Sequence, residues 1–232
     1  MGIILSIIII FLLIRNLFFT LLISTGNLVS VWTIIVIPVQ TWLSVGLFIV
    51  AHDAMHGSIS KKSWVNRLLG NLSTILYAGL WFPRLIKKHK VHHEHPGTEL
   101  DPDFSSEQNF FIWWWKFMRE YLTIWQIGIM AIAFNLGLIF FSEGQLLLYW
   151  VLPLILSTFQ LFYFGTYQPH KLPHLHSMEP YKARSFPYSD FLALITCFFF
   201  GYHYEHHYSP TTPWWKLPKV RDQFKNKRFL KG

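Results

Sequence analysis

Cysteine is nearly absent from this 232-residue chain. Cys197 is the only one, which excludes a disulfide framework and any cysteine-built zinc site. Charge is scarce too. Charged residues make up 14% of the chain, against about 25% in an ordinary soluble domain. With 52% apolar residues, that deficit excludes a disordered chain and argues against a cytosolic globule. Acidic residues are fewer than basic ones, 12 against 20 Lys and Arg, for a formal charge of +8. No internal repeat, low-complexity tract or second-domain signal interrupts the chain, so residues 1–232 read as one membrane-embedded domain.

What the chain has in abundance is long apolar runs. Gly2–Ser24 is broken only by Arg15 and Asn16. As a helix it measures about 33 Å, enough for a hydrocarbon core of about 30 Å. It lacks the basic n-region and small-residue cleavage site of a signal peptide. Arg15 reads as a snorkelling side chain. Leu28–Ala51 is uncharged throughout and carries Pro38, expected to kink it. A third run is centred on Trp125–Phe141 and starts near Tyr121, and Leu146–Tyr167 makes a fourth. The links Ser24–Asn27 and Ser142–Gln145 are so short that the runs pair as two antiparallel hairpins. Val65–Phe82 and Phe191–Phe200 are too polar or too short to cross and read as in-plane or partly buried helices at one membrane face. The fold expected is therefore all-α and integral to the membrane, with four transmembrane helices and in-plane helices on the cytoplasmic side.

The position of the charges tests that plan. Apart from Arg15, all the Lys and Arg lie in 51–121 or after Tyr167, and neither hairpin tip has any. By the positive-inside rule the tips face outward and both termini face the cytoplasm. The net charge, including the basic tail Lys216–Lys231, then reflects topology and anionic lipid, not nucleic-acid binding.

Twelve histidines remain, all on the predicted cytoplasmic side. Three clusters stand out: His52 and His56 in HDAMH, His89, His92 and His93 in HKVHH, and His203, His206 and His207 in HYEHH. On a helix, positions i, i+3 and i+4 share a face, so each cluster can aim two or three imidazoles at one point. At this composition a random His-x-x-His-His should occur about 0.03 times, and the chain has two. Polar groups near a membrane are costly and usually functional, and imidazole is the commonest metal ligand. Eight histidines exceed the needs of one ion and fit two. Nitrogen ligands with open positions suit iron and oxygen chemistry, although spacing alone does not separate iron from zinc.

The segments FIVAHDAMHGS, HKVHHEHPGTELDPDF, LFYFGTYQPH, ARSFP and CFFFGYHYEHHYSPTTPWWKLP resemble the membrane fatty-acid desaturase and hydroxylase superfamily. Within it they are most similar to the bacterial and cyanobacterial β-carotene ketolases. The resemblance runs from Phe48 to Pro218. It implies a di-iron enzyme using O₂ and a ferredoxin-type electron donor to oxidise C4 of β-ionone rings. β-Carotene would give echinenone and canthaxanthin, and zeaxanthin could give astaxanthin. The setting would be a bacterial cell membrane or a cyanobacterial internal membrane. It also implies a ninth ligand a few tens of residues before the third box. His170 lies 33 residues before His203, at the cytoplasmic end of the fourth run. His174 and His176 compete with it but lie beyond Pro173. They and His95 read as non-ligands.

Metal-bound histidines commonly donate their second N–H to a carboxylate, and Asp53 and Glu205 are the acids expected to do this. Asp101 and Asp103, in an Asp-Pro-Asp loop, read as turn residues. A C40 hydrocarbon substrate needs an apolar tunnel, for which Trp113, Trp114, Trp115, Phe162, Tyr163 and Phe164 are candidates. Trp214 and Trp215 read as headgroup anchors. Rival readings are a carotenoid ring hydroxylase, a lipid desaturase, or a non-catalytic membrane metal-binding protein. The last would need polar residues deep in the spans, which are nearly free of them.

Overall fold

The computed structural model describes residues 1–24 and 31–229. It is helical, with no strand among the described residues. In chain order the helices are α1 (Gly2–Ile23), α2 (Thr33–Met55), α3 (Ser63–Ala78), α4 (Phe82–Glu94) and α5 (Phe110–Tyr121). They continue with α6 (Ile124–Gly137), α7 (Glu143–His170), α8 (Asp190–Cys197), α9 (His203–Tyr208) and α10 (Leu217–Phe229). Beyond Ser24, the first predicted hairpin tip lies outside the described residues, as does the end of the basic tail past Phe229.

Three helices, α1, α2 and α7, are long and apolar enough to cross a bilayer. The third predicted span falls short of that. α6 has 14 residues, about 21 Å. Thr123 explains the shortfall: its hydroxyl accepts the Gln126 N–H at 3.2 Å, starting a new helix instead of continuing α5. The far end stops at Gly137, followed by turns through Phe140.

α2 is the central helix. Its apolar window is 56% buried, against 22% for α1, and it packs on α1, α3, α7 and α8. Val45, Leu47, Ile49, Val50 and Ala51 are closed off entirely or nearly so. Pro38 sits inside α2 without ending it. α1 keeps Ile4, Ile7, Phe11 and Phe18 exposed, as a lipid-facing helix should. A half-buried polar tie joins it to α2, Asn16 Nδ2 donating to Gln40 Oε1 at 2.7 Å. Arg15 is exposed, its guanidinium 5.5 Å from the Phe19 ring.

α3 and α8 match the two short apolar stretches. α3 is the partly buried kind. It packs along α2, and Tyr77 hydrogen-bonds Ser157 of α7 at 2.8 Å. α8 ends at Phe198 and Phe199, two non-glycine residues in the left-handed region at φ 48° and 62°. Such residues cost about 1–3 kcal/mol each and persist where packing over-determines them. Here the packing is close. A Cβ on Gly46 of α2 would lie 2.6 Å from the Phe198 ring, and one on Gly165 of α7 would lie 2.1 Å from Phe200. The two phenylalanines seat in glycine notches and hold the chain that leads into α9.

Candidate metal centre

Four helix ends meet at one end of the bundle. α2 delivers His52, with His56 capping its C-terminus. α4 delivers His89, His92 and His93, α7 ends on His170, and α9 carries His203, His206 and His207. All nine predicted histidines come together here, in two groups. His52, His56, His89, His93 and His206 form one, and His92, His170, His203 and His207 the other. Within each group the candidate ligand atoms lie within 4.8 Å of one another.

Helical geometry explains the division. At 100° per residue, i and i+4 differ by about 40°, whereas i+3 falls about 60° to the other side. His89 and His93 therefore share one group while His92 turns to the second. On α9 the pair His203 and His207 shares the second group while His206 turns to the first.

Nε2 atoms converge within each group. The His56–His89 separation is 2.7 Å, His93–His206 3.0 Å, and His207–His203 3.1 Å. A nitrogen–metal bond of about 2.1 Å sets neighbouring nitrogens about 3.0 Å apart in an octahedron and about 3.4 Å apart in a tetrahedron. The buried Nε2 atoms of His52 and His170 have no hydrogen-bond partner. Burial, reinforced by the neighbouring histidines, holds His89, His203, His206 and His207 well below the ordinary imidazole value. That favours the neutral imidazole, the form able to bind a metal. The donor set, all imidazole without thiolate, fits an ion that accepts nitrogen ligands.

The acids differ from expectation. Asp53 stands 3.8 Å from His52 Nδ1, too far for a hydrogen bond. Its carboxylate instead accepts the Trp214 backbone N–H at 3.1 Å, tying the C-terminal segment to the first box. Glu205 also orients no histidine. It accepts from the Ser185 hydroxyl and, at 3.3 Å, from Arg221. The carboxylate that does orient an imidazole is Asp101, both of whose oxygens lie 3.0 Å from His92 Nδ1. Asp101 is held by the backbone N–H groups of Gly97 and Asp103 at 2.8 and 2.9 Å. Burial pulls His92 down, but the Asp101 and Asp103 carboxylates together outweigh it and the net shift is upward. Asp103 accepts from the Tyr121 hydroxyl, and burial pushes it up to about 6. His170 has a carbonyl partner, Lys182 O at 3.0 Å from Nδ1. The contact between Asp101 and His92 spans nine residues and a turn, and the sequence marks Asp101 only as a turn residue.

A cavity of about 400 Å³ opens onto both groups. His52 and His89 from one and His92 and His203 from the other line its floor. Its walls are mostly apolar. Its lining includes the exposed residues Trp115 of α5, Ile127 of α6 and Ile155 of α7. Of the tunnel candidates, Trp114 and Trp115 line it; Trp113, Phe162, Tyr163 and Phe164 do not. Trp113 is buried beneath, its indole N–H donating to Asp103 O at 2.8 Å. Phe162 is fully buried against Trp113 and Phe117. Tyr163 and Phe164 face Phe186. Patterning does not tell a core aromatic from a cavity wall. Phe117, Met118, Tyr121 and Gln126, not anticipated, are walls.

The family model described as Fatty acid desaturase matches residues 27–141 and 118–228. The chain belongs to the fatty acid desaturase family. Several relatives of this desaturase-family chain are named ketolases. It is 43% identical over 185 residues to the β-carotene ketolase of Paracoccus sp. (strain PC1), covering 78% of this chain and 76% of that one. It is 41% identical over 187 residues to the zeaxanthin 4-ketolase of Chlamydomonas reinhardtii, covering 78% and 42%. A shorter stretch of 96 residues is 36% identical to the sn-1 acyl-lipid omega-3 desaturase (ferredoxin) of Synechocystis sp., covering 37% and 25%. No solved structure matches the chain.

Proposed function

We infer that this chain is a carotenoid ketolase that converts C4 of a β-ionone ring to the ketone. Two hydroxylations at that carbon and loss of water from the gem-diol account for the product. β-Carotene would give echinenone, then canthaxanthin. The observation that carries the reading is the apolar cavity whose floor holds histidines of both groups, in a chain whose ketolase relatives match over most of its length. Two irons, when bound, would supply the O₂-dependent oxidation. His52, His56, His89, His93 and His206 would hold one, and His92, His170, His203 and His207 the other. Asp101 and the Lys182 carbonyl accept from the Nδ1–H of His92 and His170, which leaves each Nε2 lone pair facing inward. The walls keep bulk water from the ring carbon and fix its approach. A ferredoxin-type donor would supply electrons, a reading supported by the name of the Synechocystis relative.

The same reading places the chain across the membrane four times, with both termini and the site on the cytoplasmic side. Support comes from α7. Gln145, at its start, donates to Leu21 O at 2.9 Å, at the end of α1 away from the histidines, while α7 ends on His170. On this reading the chain would travel from the site to the far face between Glu94 and Glu143, with α6 and its following turns making that passage.

Expression in β-carotene-making bacteria tests the function. Ketones should accumulate, and purified protein should hold about two irons per chain. His52→Ala, His170→Ala and His206→Ala should each abolish ketone and lower iron, whereas His174→Ala and His176→Ala should not. Accumulation of 3-hydroxy carotenoids or unsaturated lipids instead would overturn the reading.

A further inference from the structure

A threonine inside a helix often donates its hydroxyl to a carbonyl of the preceding turn. In this chain Thr20, Thr74 and Thr196 do so to the residue four back, and Thr158 to the residue three back. Thr166 does not. Its hydroxyl has no hydrogen-bond partner among the described residues, and it is not one of the polar atoms sealed off from contact. The side chain is 5% exposed, and it lines the cavity above the histidines.

The backbone accounts for the free hydroxyl. Tyr163–Tyr167 is wound as a π-helix, with the Gln168 N–H donating to Tyr163 O five residues back. Such wide turns recur at functional sites. Leu154, Thr158 and Leu161 reach the cavity in steps of four and three, and the wide turn sets Thr166, five residues past Leu161, on the same wall. Thr166 also lies four residues before His170, which places it toward the histidine floor. The other polar groups of the wall are engaged or enclosed. The Tyr121 hydroxyl donates to the Asp103 carboxylate, whose second oxygen lies 3.8 Å from His92 Nδ1. The Tyr77 hydroxyl pairs with Ser157, that of Thr158 donates to the Ile155 carbonyl, and the Gln126 oxygen is closed off.

On the ketolase reading one ring carbon must meet that floor twice. Between the two hydroxylations it carries a hydroxyl, which both donates and accepts, as threonine does. We propose that Thr166 hydrogen-bonds the C4 hydroxyl of the half-oxidised ring and keeps it in the cavity for the second hydroxylation, so that ketone and not alcohol is released. The inference rests on the ketolase reading for its occupant. A site that hydrogen-bonds a hydroxyl discriminates against the analogue lacking it, because its own polar group is then left unpaired.

The test uses the purified full chain with its metal and without an electron donor, so that nothing turns over. Retention of 4-hydroxy-β-carotene is measured against β-carotene in direct competition. The unaltered protein should favour the alcohol about fivefold, the worth of one neutral hydrogen bond. Thr166→Val keeps the shape and removes the hydroxyl, and its preference should fall to within about twofold. Thr166→Ser, which keeps the hydroxyl, should retain it. In β-carotene-making bacteria the Thr166→Val strain should accumulate 4-hydroxy carotenoid where the unaltered strain accumulates ketone. Equal retention of the two pigments by the unaltered protein would sink the proposal. So would a preference that survives in Thr166→Val, which would put the recognition on Asp103 instead. Absence of ketone from the unaltered strain would sink the ketolase reading, and it is scored separately from retention.

Discussion

At the scale of single residues, the acids divide sharply by what they touch. Asp101 grips His92, so Asp101→Asn should weaken metal retention by about 10–100-fold, read as iron remaining after dialysis against a chelator. Asp53→Asn, whose native partner is the Trp214 N–H, should leave iron content near normal and lower thermal stability. Equal iron loss in both variants would contradict the division. The histidines were legible from the chain alone because their spacing is the period of a helix, and rarity adds weight to spacing. The acids were not, because adjacency in sequence is a poor guide to where a carboxylate ends up. Asp53 follows His52 directly and points elsewhere, whereas Asp101 returns to His92 around the turn at Gly97.

At the scale of elements, the third histidine box is positioned by packing outside itself. Phe198 and Phe200 seat against Gly46 and Gly165, and the left-handed turn between them brings α9 up to α4. Gly165→Ala should force the Phe200 ring out of its notch at about 1–3 kcal/mol, measured as a lowered melting temperature with reduced iron content. Phe200→Leu in that background should recover part of the loss by making room. If Gly165→Ala is silent, the notch does not hold the box. No residue pattern announces such a contact, since it joins a glycine on one helix to a phenylalanine 35 residues later. Helix lengths were legible only where the chain stays apolar. α1 and α2 follow the expected runs, but α6 is shortened by a threonine cap inside what reads as one apolar stretch.

At the scale of the whole molecule, the asymmetry of charge and the convergence of the histidines describe the same polarity of the bundle. A cysteine placed at Gly144 should be labelled from outside intact cells, and one placed at Lys171 only after permeabilisation. The native thiol does not complicate that experiment. Cys197 is fully buried and burial pushes its thiol up, so maleimide should reach it only after denaturation. Labelling of Gly144→Cys from the cytoplasmic side would overturn the four-crossing arrangement.

On the proposed reading, a cavity lined by exposed residues of α5, α6 and α7 would make the lipid itself the solvent from which this enzyme draws. What it senses is then crowding of pigment in two dimensions. In proteoliposomes, adding empty lipid at constant total pigment should slow turnover in proportion to the dilution, while changing the aqueous volume at constant lipid should leave it untouched. Its rate should also follow acyl-chain fluidity, falling abruptly when the bilayer freezes, because both the arriving ring and the departing ketone diffuse through the same leaflet.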